Sequence, residues 1–160
     1  MKKLLISMLS VAIMSLTAYA QNMKMNITIE GQTMTATLVE NSSTAALIER
    51  LQQGSVTYTA HDYGGFEKVG DLGFSLPRND KQVTTQPGDI ILYQGDNLCL
   101  YYAQNSWNFT PMGEINYSSE TELRNFLKAG KGNITVTLSL PDETDIQDVE
   151  ASANSTDKAY

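Results

Sequence analysis

The chain has 160 residues, 41% of them apolar, and a formal net charge of −7. That is one domain's worth of sequence, and the sign of the charge excludes binding to nucleic acid or an anionic membrane face through general electrostatics. A single cysteine, Cys99, excludes an intrachain disulfide, and a single histidine, His61, excludes multi-histidine metal centres.

Residues 1–20 read as a secretory leader. Lys2 and Lys3 form a positive start, Leu4 to Leu16 an apolar run broken only by serine, and Ala18-Tyr19-Ala20 the small-residue cleavage pattern. The run is shorter than the roughly 20 residues a membrane span needs, so no stable insertion is expected after cleavage. The mature chain would start at Gln21 with a charge of −9, both leader lysines being lost, in the periplasm or outside the cell.

Asn26–Glu30 and Thr33–Leu38 alternate with period two and predict a hairpin turning at Gly31-Gln32 in type II′ geometry. From Asn41 to Gln53 the period becomes helical, with Ala45, Leu47, Ile48 and Leu51 on one face, capping residues at Asn41–Ser43 and a stop at Gly54. A strand follows at Ser55–Ala60. Asp62 to Pro77 carries four glycines, two phenylalanines and a tyrosine, and reads as a glycine-rich loop. Phe74 to Pro87 reads as irregular connection. Ile90–Tyr93 and Leu98–Ala103 flank Gln94-Gly-Asp-Asn97 as a second hairpin, and Gln104–Pro111, containing Trp107, has loop character. Ser119 and Glu122 form a capping-box pattern before a helix that buries Leu123, Phe126 and Leu127 and stops at Gly130. Ile134, Val136, Leu138 and Leu140 alternate in a last strand closed by Pro141.

The domain therefore spans 21–141. Residues 142–160 hold six carboxylates against Lys158, too little apolar content to offset ordering entropy, and read as an acidic disordered tail. Many short strands with regular turn signals, plus two short helices, predict a mostly β fold closed into a barrel of about eight strands.

The order of these segments, above all Asp62-Tyr-Gly-Gly-Phe-Glu-Lys68, Phe74-Ser-Leu-Pro77 and Pro87-Gly-Asp-Ile-Ile-Leu-Tyr93, resembles the bacterial cyclophilin-like domain family over residues 25–140. The resemblance implies an eight-stranded cyclophilin-like β-barrel. Cyclophilins also resemble one another in placing an arginine near the prolyl nitrogen, where it stabilises the transition state of isomerisation. This chain has Arg50, Arg78 and Arg124, and none maps onto that motif.

No phosphate loop is present, since no Gly-Lys-Ser/Thr precedes a helix, and the spacing of Asp62, Glu67 and Asp71 does not match a calcium loop. Neither a cofactor nor a bound metal is expected, and no catalytic residue is assigned. The aromatics Tyr63, Phe66, Tyr93, Tyr101, Tyr102, Trp107 and Phe109 are numerous for so small a domain. The expected function is a non-catalytic binding module for a small molecule or an extended peptide. Its groove would be bordered by Tyr63, Tyr102 and Trp107, with Asp62, Glu67 and Lys68 as polar anchors. The alternatives are a weak prolyl isomerase acting on exported proteins and an accessory domain docking onto a partner protein.

Overall fold

The structure, a computed structural model, describes residues 24–142. The expected leader at 1–20 and all but Asp142 of the acidic tail lie outside them. Among the described residues nine strands and two helices run in the order β1 (Lys24–Ile29), β2 (Gln32–Leu38), α1 (Ser42–Gln52), β3 (Val56–Tyr63), β4 (Glu67–Asp71), β5 (Lys81–Thr84), β6 (Asp89–Tyr93), β7 (Asn97–Tyr101), β8 (Ser106–Ile115), α2 (Glu120–Phe126) and β9 (Ile134–Ser139).

The strands pair in the order β2-β1-β9-β3-β4-β7-β6-β8, and β2 pairs with β8 to close an antiparallel barrel of eight. The edge of β8 opposite β6 is shared: Gly113–Ile115 takes β2, while Ser106–Phe109 takes the extra strand β5. A bulge opposite Ile90 and Ile91 bends β8 between these two roles. Closure requires Gly113. A Cβ there would lie 2.2 Å from the Thr37 carbonyl oxygen, at a φ of +157°.

The barrel interior is filled by alternate residues of the strands, among them Met25, Ile27, Ile29, Ile90, Leu92, Leu98, Leu100, Val136 and Leu138. Leu47, Ile48 and Leu51 of α1 and Leu123 and Phe126 of α2 join the same core. Asn41 caps α1 in a reciprocal box with Thr44. At α2, Ser119 caps the Glu122 amide, but the Glu122 carboxylate reaches back to the backbone and hydroxyl of Ser118, not to Ser119. The expected box is thus displaced by one residue.

Several local expectations are corrected. The first hairpin turns at Glu30-Gly31, one residue earlier than predicted. Both residues have positive φ, as a type I′ turn requires to match the twist of its strands. The glycine-rich segment is mostly a hairpin: β3 runs on to Tyr63, the chain turns at Gly64-Gly65-Phe66, and β4 returns. β5 lies within the segment read as irregular, and Trp107 sits in β8 where a loop was expected.

Candidate functional site

Consecutive residues of β4 leave the strand on opposite faces, and this divides the expected groove residues into two sets. Asp62, Lys68 and Tyr102 gather on the interior side. Lys68 is fully buried, its Nζ 2.9 Å from Asp62 Oδ1, and it also donates to the Gly132 carbonyl. Asp62 further accepts from the Tyr102 hydroxyl (2.9 Å) and from the Gly130 and Gly132 amides (2.9 and 2.8 Å). Partial burial pushes the Asp62 carboxyl up, but the donors from Lys68, the two glycine amides and Tyr102 outweigh it and hold the group well below the usual carboxylate range. Burial and the Asp62 hydrogen bond push the Tyr102 hydroxyl up to about 12. Every polar group of this set has a partner. It ties the turn after α2 to the barrel wall and offers little to a ligand.

Tyr63, Glu67 and Trp107 face the other way. On the outside of the barrel a second small core of Ile91, Cys99, Tyr101 and Phe109 lies against Phe66, Val69, Val83 and Tyr93. Its rings form a continuous series: Tyr63 meets Phe66 edge-on at 5.9 Å, Phe66 stacks on Tyr101 at 5.9 Å, Tyr101 meets Phe109 at 5.9 Å, and Phe109 meets Tyr93 at 6.3 Å. These rings, with Trp107 and Asn105, line a cleft of about 660 Å³. Tyr63 and Trp107, each 60% exposed, stand as open aromatic faces, while Tyr101 is wholly buried.

Two polar atoms in this cleft lack a well-formed hydrogen bond among the described residues: Oε2 of Glu67, which is only 6% exposed, and the Tyr101 hydroxyl opposite it in the β4–β7 register. The two groups are close enough for Tyr101 to favour the charged Glu67, without the geometry of a full hydrogen bond. Burial pushes the Glu67 carboxyl up, partly countered by Tyr101, Cys99 and His61. Burial, then Glu67, push the Cys99 thiol up as well, which keeps it protonated and unreactive. Among the described residues no group of three His, Cys, Asp or Glu side chains is placed to hold a metal ion.

Of the expected polar anchors, Glu67 is thus an exterior carboxyl and Lys68 an interior ammonium paired with Asp62. Tyr101, not Tyr102, turns to the cleft. Phe66, Tyr93, Tyr101, Asn105 and Phe109 complete the lining; the four aromatics stood out in the sequence, but nothing in it assigned them to one face.

A family model described as the cyclophilin-like family matches residues 27–139. The chain belongs to the cyclophilin-like family. The solution structure of a hypothetical protein from Archaeoglobus fulgidus is similar to this cyclophilin-like chain, with a TM-score of 0.54 and 18% identity over 74% of this chain and 95% of that one. At that identity the likeness shows the fold alone. Among curated proteins none matches.

The three arginines of this cyclophilin-like barrel are engaged outside the cleft. Arg50 lies over the Phe74 ring at 5.4 Å, Arg124 over the Tyr102 ring at 5.1 Å, and Arg78 pairs with Asp80. Among the described residues none that lines the cleft is basic.

Proposed function

We propose that this domain is a non-catalytic binding module that takes a small molecule in the exterior aromatic cleft. One observation carries the reading: a ring-lined cleft of about 660 Å³ encloses two buried polar atoms, Glu67 Oε2 and Tyr101 OH, that make no well-formed hydrogen bond among the described residues. Ligand pockets are commonly of this size, mostly apolar, with a few convergent polar groups that fix orientation. Buried polar atoms ordinarily find hydrogen-bond partners, and a ligand would supply them here. The absence of a guanidinium from the lining speaks for binding over prolyl isomerisation, which needs charge stabilisation at the prolyl nitrogen. Export to the periplasm or beyond belongs to the same proposal and rests on residues 1–20.

Amide NMR spectra of labelled protein with small aromatic fragments and, separately, X-Pro peptides test it. Fragment-induced shifts confined to residues 63–67, 93 and 99–109, without faster cis/trans exchange in the peptides, are expected. Accelerated exchange would replace the reading with the isomerase. No shifts in the cleft with any probe would reject it.

A further inference from the structure

We propose that the cleft selects an organic ammonium ion, an aliphatic or aromatic amine in its protonated form, with Glu67 as its counter-charge; this rests on the cleft being the ligand site. Three independent features converge. The first is the face chemistry: Tyr63 and Trp107 present exposed rings at the cleft, and ring faces attract cations through their quadrupole. The second is Glu67, buried with Oε2 unpartnered. A carboxyl in that state is costly unless it meets a donor or an opposite charge. An N–H-bearing ammonium supplies both, whereas a quaternary cation would leave Oε2 without a hydrogen bond and an anion would face a like charge. The third is the surrounding charge: among the described residues no basic side chain lines the cleft to compete for Glu67, Lys68 being turned inward to Asp62, and the chain as a whole carries −7.

The apolar body of such a ligand would lie along the rings while its ammonium reached Glu67. The ammonium pairs with the ionised carboxylate, so any proton that Glu67 carries in the free protein passes to solvent on binding. The groups that face Glu67 are Tyr101 and Cys99 of β7 and His61 and Tyr63 of β3, with Tyr93 of β6 across the cleft. Of these, only His61 can carry a positive charge.

Trp107 is the one tryptophan of the chain and lines the cleft, so its fluorescence reads this site without interference. The experiment titrates the full chain with 2-phenylethylammonium and with 2-phenylethanol, a neutral compound of the same shape. The ammonium is expected to bind at least tenfold more tightly, and Glu67→Gln is expected to abolish that preference by weakening the ammonium far more than the alcohol. Equal affinity for both compounds would overturn the cation assignment while leaving the cleft as a ligand site. No change of Trp107 fluorescence with either would overturn both readings. Should Glu67→Gln fail to fold, the pH dependence of the His61→Gln protein decides. There the ammonium's affinity should fall on acidification through the Glu67 titration while the alcohol's stays level, and parallel profiles would reject the proposal.

Discussion

Glu67 and Lys68 are neighbours in sequence and strangers in space: the carboxyl lies in an exterior cleft with an oxygen unpartnered, and the ammonium lies in the barrel interior on Asp62. One strand thus carries a satisfied charge on one face and an unsatisfied one on the other. The interior face is a structural fastening, and the exterior face is where a ligand can still contribute. The separation assigns different tests to the two faces.

The fastening should appear as stability. Asp62→Ala would leave Lys68 buried without a counter-charge and free the Gly130 and Gly132 amides. Removing one partner of a buried pair typically costs 3–5 kcal/mol; with Asp62 partly open to solvent, about 3 kcal/mol is expected in urea denaturation. Asp62→Ala combined with Lys68→Met should recover part of it. The sign with pH follows from the depressed carboxyl. Its contribution is fully present above the ordinary aspartate value of about 4 and is lost as pH falls towards the depressed folded value. Wild type should therefore lose more stability on acidification than Asp62→Asn does.

Barrel closure should depend on Gly113. An added Cβ would lie 2.2 Å from the Thr37 carbonyl oxygen and 2.9 Å from the Leu38 Cα, both backbone atoms that cannot rotate away. Gly113→Ala must open the β2–β8 seam, and a loss of about 3 kcal/mol, at the upper end for overpacking, is expected in thermal unfolding. Faster amide exchange in Ala36–Leu38 than in β6 would place the damage at that seam.

The barrel was legible where strands bury one face and expose the other. β9 and β1 alternate cleanly, and the helix caps at Asn41 and Ser119 stand in the sequence as they do in the fold. β4 was hidden because it buries Glu67 and Lys68 on its two sides, so a strand presented itself as a polar, glycine-bearing loop. The first half of β8 was hidden for the opposite reason: Ser106, Trp107 and Asn108 are all exposed, and backbone pairing with β5 holds them. The facing of Tyr101 and Tyr102 was hidden for a third reason. β7 is buried on both faces from Leu98 onward, so alternation showed that the two tyrosines diverge without showing which one faces the cleft. The partners of Asp62 include two backbone amides nearly seventy residues away, which no local pattern encodes.

Glu67 should act on stability in the sense opposite to Asp62. Its carboxyl is raised by burial. Above the ordinary glutamate value of about 4.3, the unfolded chain gives up a proton that the folded protein retains. The group therefore destabilises the fold progressively as pH rises towards the raised value, and fully beyond it. Glu67→Gln removes this penalty. The variant should match wild type near pH 4 and exceed it increasingly as pH rises, read by urea denaturation across that range. A stability difference that does not change with pH would mean that Glu67 is not held protonated in the fold.

The shape of the cleft should depend on Gly64 through Phe66. At Gly64, with φ at +59°, an added Cβ would lie 2.2 Å from the Phe66 ring, which stacks on Tyr101 and meets Tyr63 edge-on. Gly64→Ala must therefore displace Phe66 and break the ring series on both sides. Gly65 is the control: its φ is +72°, yet nothing lies within 4 Å of an added Cβ. Both alanine variants carry the same backbone cost, about 1–2 kcal/mol for a left-handed residue, but only Gly64→Ala disturbs the cleft. Gly64→Ala should lose more stability than Gly65→Ala, and affinity for 2-phenylethylammonium, read by Trp107 fluorescence, should fall at least several-fold in Gly64→Ala and stay near wild type in Gly65→Ala. Equal affinities in the two variants would remove Phe66 from the binding surface and leave Tyr63 and Trp107 as the rings that matter.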